Sequence, residues 1–195
     1  MLYKIIFKVL ANRLKRVLHG VINEAQSVFV PGRLITDNMM VAFETMHSID
    51  KKRKENEGLM AIKLDMSKAY DRVEWAYLES MMKKMGFGER WISLIMMCVT
   101  SVSFSILING KPKGAITPSR GLRQGDPLSS YLFLLCGEGL SAMLEKKERE
   151  GLIRGVSAAR QAPSISHLFF ADDSVIFYRA TKEECMQVAK VLEVY

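Results

Sequence analysis

The amino-acid sequence predicts an α+β fold, and three observations carry that expectation. Apolar residues recur at helical spacing in several long segments, while the short apolar or alternating runs between them have the length and period of strands. Helices, a lone strand, a hairpin and a late strand pair follow one another without the regular alternation of a parallel α/β protein. Composition is the third observation. With 195 residues, 49% hydrophobic and 25% charged, the chain can bury one sizeable domain or two small lobes sharing a core. The same mixture excludes wholesale disorder and a collagen-like chain.

Residues 2–22 place Leu2, Ile5, Ile6, Val9, Leu10, Leu14, Val17, Leu18 and Ile22 at helical spacing, with Lys4, Lys8, Arg13, Lys15 and Arg16 opposite. That pattern fits a domain helix with a solvated basic face; a transit peptide or a membrane-surface helix shares it. Pro31-Gly32-Arg33 marks a turn, and a second helix over 37–50 turns Val41, Phe43, Met46 and Ile49 inward. Residues 51–58 form a charged connector, a composition common to solvated helix ends and localisation signals. The apolar strand 59–65 ends in Asp65.

Asp71 is placed to cap the next helix, whose inward stripe is Tyr77, Leu78, Met81, Met82 and Met85, stopped by Gly86. A helix over 90–98 leads into the alternating run 101–106, and Asn109-Gly110 supplies a hairpin turn. In the loop 121–127, Asp126 suits an N-cap and Pro127 the first helical position. The helix that follows buries Leu128, Tyr131, Leu132, Leu135, Leu140 and Met143. Lys146, Lys147 and Arg149 complement its dipole, and Gly151 ends it. Strands 165–171 and 174–178, joined through Asp172-Asp173, precede a terminal helix from Lys182. There is no internal repeat and no low-complexity stretch.

Twenty-eight Lys and Arg against 21 Asp and Glu give a net charge of +7, which favours polyanionic partners, nucleic acid above all. The cysteines, Cys98, Cys136 and Cys185, are odd in number and widely spaced. They form no zinc or disulfide pattern and fit a reducing compartment. Residues 91–109 carry no charge, but their serines and strand-like alternation argue against a membrane span.

Candidate chemistry lies where carboxylates end apolar strands. Asp172 and Asp173 sit between two strands too apolar to be exposed, so their mutual repulsion calls for a proton or a cation such as Mg²⁺. A plain hairpin turn accommodates the same pair. Asp65 also closes a strand. If that strand neighbours the hairpin, the acids converge into a two-metal centre for phosphoryl transfer; otherwise Asp65 is a helix cap or a surface acid. The loop 121–127 adds two glycines, Arg123 and a helix N-terminus, a set that suits a phosphate or nucleotide as well as an ordinary loop.

Three stretches in order carry a resemblance: Ile62-Lys63-Leu64-Asp65-Met66-Ser67-Lys68-Ala69-Tyr70-Asp71-Arg72-Val73, then Gly121-Leu122-Arg123-Gln124-Gly125-Asp126-Pro127-Leu128-Ser129, then Phe170-Ala171-Asp172-Asp173. Together they resemble reverse transcriptases of non-LTR retrotransposons, particularly plant LINE-type elements. Asn23-Glu24-Ala25-Gln26-Ser27 through Pro31-Gly32-Arg33-Leu34-Ile35-Thr36-Asp37-Asn38 resembles the element placed upstream in that family. The resemblance covers essentially the whole chain.

It implies a right-hand polymerase core with a small antiparallel palm sheet packed on helices. The implied division is a fingers-like helical part over 1–58 and a palm core over 59–195, with a fingers excursion around 99–120. Asp65 and Asp172 match the acids that hold two Mg²⁺ ions, for which Mn²⁺ is a substitute, and Asp173 matches the second acid of the hairpin, a weaker candidate for direct ligation. Tyr70 matches an aromatic gate against the ribose 2′-hydroxyl. Gln124 matches a residue near the incoming nucleotide and template, with Gly125 allowing close approach. Arg33 and Arg123 are candidate nucleic-acid contacts.

The implied partners are template RNA, a DNA primer and deoxynucleoside triphosphates, with no membrane. The implied reaction is attack of a primer 3′-hydroxyl on the α-phosphate of a deoxynucleotide. Ser130 stands where the family often has proline. An upstream fingers segment, a later palm lysine, a thumb and an endonuclease are not matched in this sequence. Two other readings follow, a catalytically idle nucleic-acid-binding remnant and a metal-dependent nuclease; the latter leaves Tyr70 and the Gln124 loop without a purpose.

Overall fold

The computed structural model describes residues 2–52, 58–159 and 161–195; the charged connector expected at 51–58 lies largely outside them. The chain forms two compact units, each built from two segments: residues 1–17 with 68–136, and 18–67 with 137–195. This grouping differs from a single division after residue 58. The strand at 59–65 pairs with the last strand of the chain and so joins the helix before it to the C-terminal segment.

The first unit contains α1 (Leu2–Lys15), a 3-10 turn at Tyr70–Arg72, α4 (Trp75–Lys84), α5 (Glu89–Thr100), strands β2 (Phe104–Ile108) and β3 (Lys111–Ile116), and the start of α6 (Pro127–Arg149). The single helix expected over 2–22 divides after Lys15, and α2 (Leu18–Val21) belongs to the second unit. The buried line of α1 is Phe7, Leu10, Ala11 and Leu14, while Ile5, Ile6, Val9 and Val17 are exposed. The apolar stripe is thus broader than the contact it makes. Leu78 and Met82 of α4 and Ile92, Ile95 and Val99 of α5 are buried as well.

Asp71 is not a cap. It lies in the 3-10 turn, and α4 begins after Glu74 with no side-chain capping bond. The Asn109-Gly110 turn has positive φ at both residues, 51° and 75°, the geometry that matches hairpin twist and that Asn-Gly tolerates best.

The second unit holds α2, α3 (Ile35–Lys52), β1 (Leu59–Asp65), the rest of α6, β4 (His167–Phe170), β5 (Asp173–Arg179) and α7 (Lys182–Val194). Its sheet is antiparallel in the order β1-β5-β4. Side chains alternate between its faces. Leu168, Val175 and Phe177 pack with Val41, Ala42 and Ile49 of α3. Phe169, Ile176 and Tyr178 pack with Leu140 and Leu144 of α6 and Val188 and Val191 of α7.

The inward line of α3 differs from the one expected. Phe43 and Met46 are exposed, and the buried positions include Asn38, Thr45 and Ser48. Each of these polar side chains donates to a backbone carbonyl, of Ala25, Val41 and Ser157 respectively, which offsets the cost of burying it. Apolarity alone therefore places Val41 and Ile49 correctly against the sheet but misplaces Phe43 and Met46. By length and composition α6 could cross a membrane, yet its Leu128, Leu132, Leu135, Leu140 and Leu144 are buried inside the protein.

Candidate active site

β1 and β5 pair so that Asp65 lies directly across from Asp173. Flanking bonds define the spacing. Met66 N–H donates to the Asp172 carbonyl at 3.2 Å, and Ala180 N–H to the Gly58 carbonyl at 2.8 Å. Residues 66/172 and 58/180 are therefore hydrogen-bonded pairs, and 65/173, between such pairs, is a non-hydrogen-bonded one. In that arrangement the Cα atoms stand about 4.5 Å apart and the side chains share a face. Asp172 is the second residue of a two-residue turn, because Phe170 pairs with Asp173. The turn is thus Ala171-Asp172, one position earlier than expected, and Asp173 opens β5.

Strand interiors and carboxylates differ in solvation here. Leu168, Phe169 and the run 174–178 are buried, but Asp65 and Asp172 are exposed and Asp173 is half-buried. Water at this end of the sheet weakens the repulsion that burial would have enforced. Lys63 Nζ lies 3.1 Å from an Asp173 carboxylate oxygen and offsets one charge.

Among the described residues no three acidic, His or Cys side chains are already gathered as a metal cluster. The donor set still fits Mg²⁺: hard carboxylate oxygens on facing strand ends, open to solvent, for an ion that takes one or two carboxylates and completes its shell with water and phosphate.

The turn is braced by the segment around Gln26, whose importance shows in the sequence only through the family resemblance. Gln26, 4% exposed, accepts with its side-chain oxygen from Val28 N–H at 2.9 Å and Ala171 N–H at 3.4 Å. Ala25 carbonyl accepts from Phe169 N–H at 2.8 Å and from the Asn38 amide at 2.7 Å. Residues 25 and 26 thereby run along β4, and Ala171 is held at φ 59°, a left-handed conformation that costs alanine about 1–2 kcal/mol.

Arg33 serves the same segment. Its guanidinium donates from Nη1 and Nη2 to the carbonyls of Ile22, Asn23 and Gln26, an internal clamp on that segment. Beneath lies Glu138, which Asn23 N–H and the charge of Arg33 favour as an anion. Burial, seconded by Glu145, outweighs them and pushes its carboxyl up to about 7. Buried polar residues such as Gln26 and Asn38 leave no sequence signal of their own, because the β4 segment against which they are placed lies more than a hundred positions along the chain.

Tyr70, Arg123, Gln124 and Gly125 belong to the first unit. Tyr70 stacks on Phe133 with ring centroids 4.8 Å apart, and its hydroxyl lies 3.5 Å from Ser130 Oγ, a partner that proline at position 130 would lack. Leu122 N–H donates to the Tyr70 carbonyl and Gly121 N–H to that of Val73, both at 2.8 Å, while the Trp75 indole donates to the Gly121 carbonyl. Gly121 has φ +93°, and a Cβ there would stand 3.0 Å from the Asp71 carbonyl oxygen, so only glycine lets the two loops meet. Arg123, Gln124 and Gly125 are exposed. Arg123 lies over the Tyr3 ring at 6.0 Å. A cavity of about 410 Å³ opens beside the loop, lined by Tyr3, Phe7, Trp75, Leu122, Arg123 and Gln124 among others.

Residues 1–195 match the family described as reverse transcriptase (RNA-dependent DNA polymerase). An uncharacterized mitochondrial protein of Arabidopsis thaliana is 53% identical over 68 residues, 35% of this chain and 56% of its own length. The Transposon TX1 uncharacterized 149 kDa protein of Xenopus laevis is 33% identical over 95% of this chain, which spans 14% of that protein. A Pol polyprotein from the type-1 retrotransposable element R2 of Nasonia vitripennis is 29% identical over 87% of the chain, again spanning little of the relative, 15%. Among solved structures, telomerases of Candida tropicalis and Candida albicans superpose on 96% of the chain with TM-scores of 0.58 and 0.59. They are 15% and 14% identical, and the chain spans 36% and 32% of them. At that identity the likeness concerns the fold, a polymerase fold of the telomerase and reverse transcriptase kind.

Proposed function

The chain belongs to the reverse transcriptase family, with non-LTR retrotransposon proteins among its relatives, and from that premise we propose that it carries the nucleotidyl-transfer centre of an RNA-directed DNA polymerase. The observation that carries this reading is the register that sets Asp65 opposite Asp173, beside the Ala171-Asp172 turn. The unit of residues 18–67 and 137–195, which contains these acids, takes the part of the palm.

In this proposal Asp65 and Asp172 hold Mg²⁺, or Mn²⁺ in its place, with Asp173 available as a further ligand. The bound ions would supply charge neutralisation at the phosphate and a more acidic primer 3′-hydroxyl. The chain's own residues divide the remaining work. Lys63, paired with Asp173, balances charge while the acids are free of cation. Tyr70, its ring fixed on Phe133, presents a rigid aromatic edge against a ribose 2′-hydroxyl. Gln124 and Gly125, exposed at a loop whose backbone is tied to residues 70–73, contact the deoxynucleoside triphosphate and template, and Arg123 offers a positive charge to phosphate. Template RNA and the DNA primer are held mainly through their phosphates, which suits the net charge of +7.

Primer extension on an RNA template with Mg²⁺ tests the assignment. Asp172→Ala is expected to abolish extension while leaving RNA affinity unchanged. Activity that persists would reject it. RNA binding without extension by the unaltered chain would favour the idle nucleic-acid-binding reading instead.

A further inference from the structure

A second cleft of the acid-bearing unit has the chemistry of a phosphate site. It lies at the other end of the central strands, where Leu59 pairs with Arg179. That is six residues of β5 from Asp173, or about 20 Å at the usual rise. The cleft measures about 390 Å³, and its walls include Lys52, Arg154, Arg179, Ser157, Ser164 and Glu148. Three cations thus face one acid. None of the three has a carboxylate within 4.0 Å among the described residues, and Glu148 accepts instead from the Ser164 hydroxyl at 2.8 Å.

The backbone around this cleft is closely built. One carboxylate oxygen of Glu184, a residue 8% exposed, accepts from Arg154 N–H at 3.0 Å and from Arg179 N–H at 2.9 Å, which fastens the two arginine-bearing segments to a single point on α7. Val156 and Ile165 exchange both backbone bonds, at 2.9 and 3.0 Å. At Gly155 a Cβ would stand 2.5 Å from Ser164 Oγ and 2.6 Å from the Ile165 carbonyl carbon, so the loop carrying Arg154 presses on the segment carrying Ser164 with no room for a side chain.

We propose that this cleft binds a backbone phosphate of a single-stranded nucleic acid, with Arg154 and Arg179 as its principal contacts. The inference rests on the nucleic-acid reading above and adds to it a contact remote from the acids. Arginine and serine side chains lining one cleft supply the donor types that bind phosphate oxygens, guanidinium N–H and hydroxyl. An open cleft lined also by Lys52 suits a strand passing over it better than a small molecule enclosed in it.

Fluorescence anisotropy of a labelled single-stranded RNA, titrated with the whole chain over a range of salt concentrations, tests this. For the Arg154→Gln/Arg179→Gln double variant, weaker binding irrespective of RNA sequence is expected. The slope of log K against log salt should fall by about 0.7, the value for one phosphate no longer neutralised on a single strand. Arg154→Lys/Arg179→Lys should recover most of that slope, and thermal melts of each variant show whether the fold is kept. Unchanged affinity and slope in the Gln variant would overturn the cleft assignment and leave the polymerase reading intact. So would weaker binding with an unaltered slope. Inorganic phosphate, followed by ³¹P line broadening, is the second probe: loss of its binding with undiminished RNA affinity would make the occupant a small phosphate and overturn the assignment to nucleic acid. Failure of the unaltered chain to bind RNA at all would defeat both readings, an outcome separate from failure of the cleft alone.

Discussion

Glu138→Gln makes folding stability less dependent on pH, with a sign that the structure fixes. Burial raises the Glu138 carboxyl from 4.5 to about 7 against the opposing pull of Asn23 N–H and Arg33. Between those values the folded chain keeps a proton that the unfolded chain has lost. Stability therefore falls as pH rises through this window and levels off above it. The slope is at most about 1.4 kcal/mol per pH unit and the accumulated ceiling about 3 kcal/mol. Residual solvent contact of this half-buried group reduces the realised effect to about 1–2 kcal/mol.

Glutamine keeps an acceptor for Asn23 N–H and carries no charge at any pH. Urea or thermal unfolding of both forms, followed by far-ultraviolet circular dichroism from about pH 5 to pH 8, measures the difference. The variant should gain on the parent as pH rises and exceed it by about 3–6 °C in Tm at the alkaline end. A stability difference that stays constant across that range would refute the reasoning, because it would place the Glu138 carboxyl in water in the folded protein.

Other expectations follow from single contacts. Gly121→Ala forces a Cβ against the Asp71 backbone at positive φ and should cost about 1–3 kcal/mol in chemical denaturation; a neutral result would mean the loops do not meet as described. Ala171→Gly relieves the left-handed strain of the turn and should stabilise by about 0.5 kcal/mol, whereas a loss of stability would show that the turn is unstrained. Lys63→Met removes the cation paired with Asp173. It should tighten Mn²⁺ binding, read by electron paramagnetic resonance, by about two- to fivefold, as expected for an exposed pair; weaker binding would show that Lys63 assists the site rather than competing with the metal.

Much of the fold is legible in local signals. The strand 59–65 and the terminal helix from Lys182 appear where apolar pattern and turn chemistry place them, and Asn109-Gly110 forms its hairpin. Differences arise where one face has to be chosen. In α1 and α3 the apolar residues outnumber the contacts available, so Ile5, Val9, Phe43 and Met46 remain exposed while Asn38, Thr45 and Ser48 are buried. Polar residues become core residues only when a carbonyl stands within reach, and the carbonyls of Ala25 and Ser157 that receive Asn38 and Ser48 are set by the path of the chain.

By itself the sequence determined that acids terminate two apolar strand segments, that glycines and turn residues punctuate the elements, and that the ordered motifs resemble a reverse transcriptase. These properties are read within a few residues of each other or by likeness to a family. Tertiary structure decided that Asp65 meets Asp173 across β1 and β5, that Ala171-Asp172 forms the turn, that Gln26 and Arg33 brace that turn and its supporting loop, and that Arg154 and Arg179 share one buried carboxylate. The β1–β5 register and the bond from Ala171 N–H to Gln26 depend on segments more than a hundred positions apart. Only the folded chain pairs those distant segments, because alternation within one strand fixes which side a residue faces but not which residue lies opposite it.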